Sequence, residues 1–116
     1  MTIVHIVLFE WKSSATAAQI EDASSYGLAC NRMLALSEKC IHPTSQKPYI
    51  KSFSGGKNNS PEGQADPYTH GFVVEFESAE DRDYYVYRDP AHQDFIRFAG
   101  EVANGVKVVD YEPGKV

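Results

Sequence analysis

Near the start of the chain, Thr2 to Lys12 (TIVHIVLFEWK) is an almost unbroken run of β-branched, aliphatic and aromatic residues. A half-solvated strand alternates apolar and polar side chains, whereas a run that is apolar at both parities has both of its faces covered. One face carries Val4, Ile6 and Leu8, and the other carries His5, Val7 and Phe9, so a histidine shares an apolar face. Any fold open to this chain must cover that strand twice. With 116 residues there is one domain and one core to do it with.

The rest of the chain offers six more elements, of which the last two helices stand together as one helical segment. Ser13 and Ser14 are placed to cap a helix from about Thr16 to Lys39, with a stripe of small or partly polar residues (Ile20, Ala23, Ser24, Gly27, Cys30, Asn31, Leu34) and Tyr26 beside it. Such a stripe fits either close packing on a sheet or a helix that leaves space for a cavity. Lys47 to Ser54 predicts a second strand, and Gly55 to Pro67 (GGKNNSPEGQADP) a long exposed loop. The glycine spacing there, and Asn58 after Lys57, exclude a Walker A phosphate loop. Tyr68 to Glu77 predicts a third strand, with His70, Phe72, Val74 and Phe76 on one face. Ser78 with Asp81 starts a short helix through about Tyr87. Asp89-Pro90 begins another, over Ala91 to Asn104, where His92 joins the apolar stripe of Phe95, Ile96, Ala99, Val102 and Ala103. Gly105 is the expected stop, and Val106 to Tyr111 the last strand. The order strand, helix, strand, strand, helix, strand is the split βαβ, ferredoxin-like α+β arrangement, with an antiparallel four-stranded sheet and helices on one face. The opposite face of such a sheet is bare in a monomer, and apolar strands require it to be buried; self-association is the economical answer.

Composition narrows the function classes. Hydrophobic residues are 42% and charged residues 23%, ordinary for a globular domain, and the net charge is −5. An acidic chain lacking a basic cluster argues against nucleic acid and anionic membrane as partners. No apolar run approaches the roughly 20 residues of a membrane span, and Met1 to Phe9 is too short for a signal peptide, so a cytoplasmic location is expected. Cys30 and Cys40 lie ten residues apart in or beside one helix, about 15 Å along its axis, which is too far for a disulfide; thiols are expected.

Several of these features together resemble the stress-responsive dimeric α/β-barrel (Dabb) family: His5 on strand one, Gly55-Gly56 with Ser60 and Glu62, Tyr68-Thr69-His70, Phe76-Glu77-Ser78, Asp89-Pro90-Ala91-His92 followed by Phe95, and Asp110-Tyr111-Glu112-Pro113. The resemblance spans nearly the whole chain, residues 1–116 forming one such domain, and Tyr84-Tyr85 ahead of Asp89-Pro90 resembles fungal members. It implies a homodimer in which two four-stranded sheets face each other as an eight-stranded barrel, and a pocket between each sheet and its own helices. In the family's plant olivetolic acid cyclase, a cofactor-free polyketide cyclase, a histidine matching His92 and a tyrosine from the preceding short helix support an aldol ring closure. Cofactors and metals are not expected.

His92 is the first candidate catalytic residue. Near a helix N-terminus the dipole disfavours imidazolium, which favours the neutral, base-competent form; alternatively His92 only bonds a backbone group and packs. The cyclase-like spacing puts the tyrosine at Val86, flanked by Tyr85 and Tyr87, and of these Tyr85 is the stronger candidate, ahead of Tyr84 and Tyr87. The same tyrosines could instead pack helix on sheet. The expected pocket lining is His5, Val7 and Phe9 from strand one, Tyr26 from the first helix, and His70, Phe72 and Val74 from strand three. Tyr84, Tyr87 and Phe95 complete it. His42 is expected simply to be exposed. Three functions remain open: a cofactor-independent lyase or cyclase of polyketide-like or aromatic carbonyl compounds, a non-catalytic stress-response dimer that binds a small apolar or aromatic ligand, and a cofactor-free oxygenase of aromatic polyketides.

Overall fold

The computed structural model describes residues 1–13 and 27–116. Four antiparallel strands, β1 (Ile3–Trp11), β2 (Ile50–Lys57), β3 (His70–Phe76) and β4 (Ala103–Tyr111), lie in the order β2-β3-β1-β4. Among the described residues three helices accompany them: α1 (Gly27–Lys39), α2 (Ala79–Tyr87) and α3 (Pro90–Val102). This is the ferredoxin-like topology. Apolar β1 sits at the centre of the sheet between β3 and β4, as a strand needing two covers must. Its His5, Val7 and Phe9 face the helices, in register with Val74, Phe72 and His70 of β3. The core comprises Phe9, Phe72, Val74, Phe76, Met33, Leu36, Tyr85 and Phe95 with their neighbours.

The segment before Gly27, including Tyr26 and the Ser13–Ser14 capping expectation beyond residue 13, lies outside the described residues. Within α1 the buried side is Ala29, Met33, Leu36 and the following Cys40, while Asn31 and Leu34 face outward. Of the expected small-residue stripe, Asn31 and Leu34 are thus turned away from the core while Cys30 packs against it, and Ile20, Ala23 and Ser24 lie outside the described residues. The reason is that Met33 and Leu36 carry the volume that fills the space over the sheet. Cys30 and Cys40 are both thiols.

Two further boundaries differ from expectation. β2 runs on through Gly55, Gly56 and Lys57, so these residues form ladder instead of loop. Phe72 of β3 lies across Gly55, where an added Cβ would come 2.0 Å from the ring. Gly55→Ala should therefore cost about 1–3 kcal/mol in chemical denaturation, the usual range for overpacking. Gly56→Ala, whose Cβ would meet nothing within 4 Å, should cost far less. At the other end, α3 passes straight into β4 at Ala103, two residues before Gly105, and the Ala103 N–H still bonds the Ala99 carbonyl.

The sheet face away from the helices carries Val4, Ile6 and Leu8 of β1, flanked by Val73 of β3 and by Val109 and Tyr111 of β4. Val73, Val109 and Tyr111 are among the exposed large hydrophobic residues. Among the described residues, no helix is long and apolar enough to cross a membrane.

Candidate functional site

The junction between α2 and α3 sets the site. Ser78 caps α2, accepting from the Asp81 N–H at 3.1 Å. Asp89, in an extended conformation that the following proline favours, caps α3 by accepting from the N–H groups of Ala91 at 2.9 Å and His92 at 3.4 Å. The first turn of α3 then reaches back to the open C-terminus of α2. His92 Nδ1 lies 2.7 Å from the Tyr85 carbonyl oxygen, and Gln93 Nε2 donates to the Val86 carbonyl at 3.0 Å. A carbonyl can only accept, so His92 carries its proton on Nδ1 and keeps the lone pair on Nε2. Its imidazole is stacked on the Tyr85 ring, with centroids 3.8 Å apart.

His92 also lines a cavity of about 850 Å³ between the sheet and the helices, within the range of small-molecule sites. Val7 and Phe9 of β1, Met33 of α1, Phe95, Ile96 and Ala99 of α3, and Val106 and Val108 of β4 make the walls apolar. His5, Arg82, Asp83 and Asp110 supply a polar end. The two readings of His92 left open by the sequence therefore coexist: the ring bonds a backbone group through one nitrogen and borders a cavity.

Burial holds the His92 imidazole well below its ordinary value, at about 4; the Tyr85 carbonyl opposes this, neighbouring His5 adds to it, and Asp89 opposes it. The side chain is neutral at pH 7. Because the folded-state value lies below the unfolded one, neutral His92 destabilises nothing above pH 6.5, but folding must exclude a proton as the pH falls from 6.5 towards 4. Denaturation midpoints should decline across that window, and the decline should be shallower in His92→Gln.

A second histidine is held beside the first. His5 Nδ1 lies 2.6 Å from Asp110 Oδ1, and Arg82 Nη1 donates to Asp110 Oδ2 at 2.8 Å. The carboxylate between imidazole and guanidinium orients His5, whose ring stands edge-on to Tyr85 at 5.9 Å. Hydrogen bonds to Asp83 and Asp110 raise Arg82 further, so it stays charged. Asp110 and Arg82 did not emerge from the sequence as candidates. Alternation along β4 puts Asp110 on the face of Val106 and Val108, a lone acid on an apolar face that could have been noticed. Its pairing with His5 depends on strand register, and nothing in the sequence singles out Arg82.

The other expected site residues fall in different places. His5, Val7, Phe9, Tyr87, His92 and Phe95 line the cavity. Tyr85 is fully buried behind His92, and its hydroxyl has no hydrogen-bond partner among the described residues; burial keeps that phenol protonated. Tyr84 faces away, against Tyr49 and His42. Phe72 and Val74 are core residues, at 1% and 0% exposure, and are not part of the cavity lining. His70 faces the helix side, but antiparallel pairing sets it opposite Phe9 while Val74 lies opposite His5. Four residues of strand, about 13 Å, therefore separate His70 from the His5 end. There it accepts from the Trp11 indole N–H at 2.9 Å and borders a second hollow beside the 58–66 loop. His42 is only part-exposed, with Nδ1 accepting from the Thr44 and Ser45 N–H groups. Among the described residues, no group of three or more histidine, cysteine, aspartate and glutamate side chains is placed to hold a metal ion.

The profile of the stress-responsive A/B barrel domain matches residues 3–113. The chain belongs to this family. Among solved structures, an Arabidopsis thaliana protein is 29% identical, with a TM-score of 0.77 over 98% of this chain and 97% of that one. A hydroxynitrile lyase from Passiflora edulis is 22% identical, with a TM-score of 0.73 over 95% and 91% of the two chains. A dimeric ferredoxin-like protein of unknown function from Jannaschia sp. is 22% identical, with a TM-score of 0.71 over 97% and 99%. These last two show the shared fold alone. No curated protein sequence gives a significant match.

Proposed function

We propose that this protein is a cofactor-independent lyase or cyclase acting on a polyketide-like or aromatic carbonyl compound, with His92 as general base. One observation carries the reading: a neutral imidazole with its Nδ1 proton committed to the Tyr85 carbonyl borders a largely apolar cavity of about 850 Å³. In the proposed reaction Nε2 removes a proton from the carbon between two carbonyls, and the C–H electron pair moves into an enolate. The enolate carbon attacks a second carbonyl of the same molecule. A C–C bond forms, and the new alkoxide takes the proton back from His92. Arg82 supplies positive charge at the polar end, and the Tyr87 hydroxyl is the phenol that can polarise the attacked carbonyl. Tyr85 serves as the platform under His92. In the olivetolic acid cyclase resemblance the tyrosine position falls on Val86, so the phenol is supplied by the next residue.

We further propose a homodimer joined through the open sheet faces, which would cover β1 a second time. The Jannaschia protein with this fold is itself dimeric, and a hydroxynitrile lyase is built on the fold.

The test is incubation of the protein with a linear β-polyketo thioester, following ring formation by absorbance and dissolved oxygen by electrode. Ring formation without oxygen uptake supports the cyclase reading. Binding without product points to the non-catalytic ligand carrier, which the apolar walls and the capping role of His92 favour as the second reading. Oxygen uptake points to the oxygenase.

A further inference from the structure

Behind the cavity, Asp89 is buried at 1% exposure, with no role in the chemistry above. Its Oδ1 accepts from the first-turn N–H groups of α3, and its Oδ2 accepts from the Tyr49 hydroxyl at 2.6 Å. The Cys40 thiol adjoins the same carboxylate. Burial and the adjoining Asp89 carboxylate push both the thiol and the Tyr49 phenol up, so both remain protonated. Every donor named is neutral. A buried carboxylate satisfied this way is held by geometry, with the α3 N-terminal dipole assisting.

The groups around this carboxylate come from three separate parts of the chain. Cys40 directly follows α1, Tyr49 directly precedes β2, and Ala91 and His92 belong to α3. An N-cap needs only one acceptor oxygen, which leaves the second to be explained.

We propose that Asp89 is a positioning residue, and that the Tyr49 hydroxyl latches it so that the first turn of α3 holds His92 Nδ1 on the Tyr85 carbonyl. Besides Asp89, the α2–α3 junction is tied by Gln93, which donates to the Val86 carbonyl, and by the stacking of His92 on Tyr85. Only Arg88 and Asp89 separate the helices, and their N–H groups both donate to the Tyr84 carbonyl at 2.9 Å. A small rotation of the turn would break the 2.7 Å bond and release the imidazole to its other tautomer. This rests on the site reading in requiring a fixed His92, and it holds whether the cavity catalyses or only binds.

The experiment is ¹⁵N NMR of the His92 imidazole at pH 7 in the full chain, which needs no substrate. The native protein should show a single tautomer protonated at Nδ1. Tyr49→Phe, which removes one oxygen, should give a mixture of tautomers, and Asp89→Ala a larger fraction of the Nε2–H form. Asp89→Asn, which retains an acceptor for the α3 N–H groups, should fall between the native protein and Asp89→Ala. Ser78→Ala, which uncaps α2 instead, should lower the melting temperature with the His92 tautomer unchanged. A single Nδ1–H tautomer in Tyr49→Phe and Asp89→Ala, with only the melting temperature reduced, would overturn the proposal and leave Asp89 an ordinary cap. If Asp89→Ala does not fold, Tyr49→Phe decides alone. Failure of the polyketide assay leaves this result untouched, so the two can fail separately.

Discussion

Replacing His92 with glutamine should lower turnover of the cyclised substrate by roughly 10²–10⁴-fold, the contribution of a positioned general base, while KM changes little. The substitution separates the two jobs of this side chain. A glutamine amide can still donate to the Tyr85 carbonyl, as Gln93 does to the Val86 carbonyl, but it has no lone pair able to hold a proton at neutral pH. His92→Ala should lose turnover equally and stability as well, because the carbonyl at the end of α2 loses its donor. Turnover in the native protein should be insensitive to pH from 7 down to about 5, since the imidazole stays neutral to about 4. Steady-state kinetics across this range, with circular dichroism to confirm folding, provide the check. Unchanged turnover in His92→Gln would remove the base and leave a binding cavity.

The second large effect concerns the open face. Val73 and Val109 lie on either side of Ile6, one on β3 and one on β4, and are 38% and 51% exposed. Val73→Lys with Val109→Lys should convert the proposed dimer to a monomer. Symmetry would bury four unpaired ammonium groups at one interface, each costing several kcal/mol. At about 1.4 kcal/mol per tenfold, association should weaken by more than 10³-fold. Val108→Lys, next to Val109 but facing the helix side with the cavity, should leave association intact. Sedimentation velocity at micromolar concentration distinguishes the outcomes. A chain already monomeric before substitution would refute the face-to-face arrangement.

Much of the fold can be read along the chain because period-two and helical patterns are local. The double-faced apolar run of β1 places it centrally, and Ser78 and Asp89-Pro90 mark two helix starts with cap chemistry that the structure repeats. Patterns failed where volume outweighed periodicity. The small-residue stripe of α1 pointed to Asn31 and Leu34, yet Met33 and Leu36 fill the core. Glycine at Gly55 and Gly56 suggested a loop, but there it gives room for the Phe72 ring against an extended strand.

The site divides in the same way. His92 and His5 stand out in sequence as histidines on apolar faces. His70 does too, but antiparallel register carries it to the far end of the sheet, under Trp11. Among three neighbouring tyrosines, helical rotation at 100° per residue sends Tyr84 to Tyr49, Tyr85 into the core and Tyr87 to the cavity. No periodicity argument separates them without knowing where α2 lies on the sheet. By itself the sequence determined the order of elements, the face on which each strand side chain falls, and the helix caps, because these depend on neighbours a few residues away. Only the tertiary structure decided that Asp110 and Arg82 stand by His5, and that Asp89 joins Tyr49 behind His92. Those contacts join residues 28 to 105 positions apart, and their partners are set by strand register and helix docking, which no local pattern encodes.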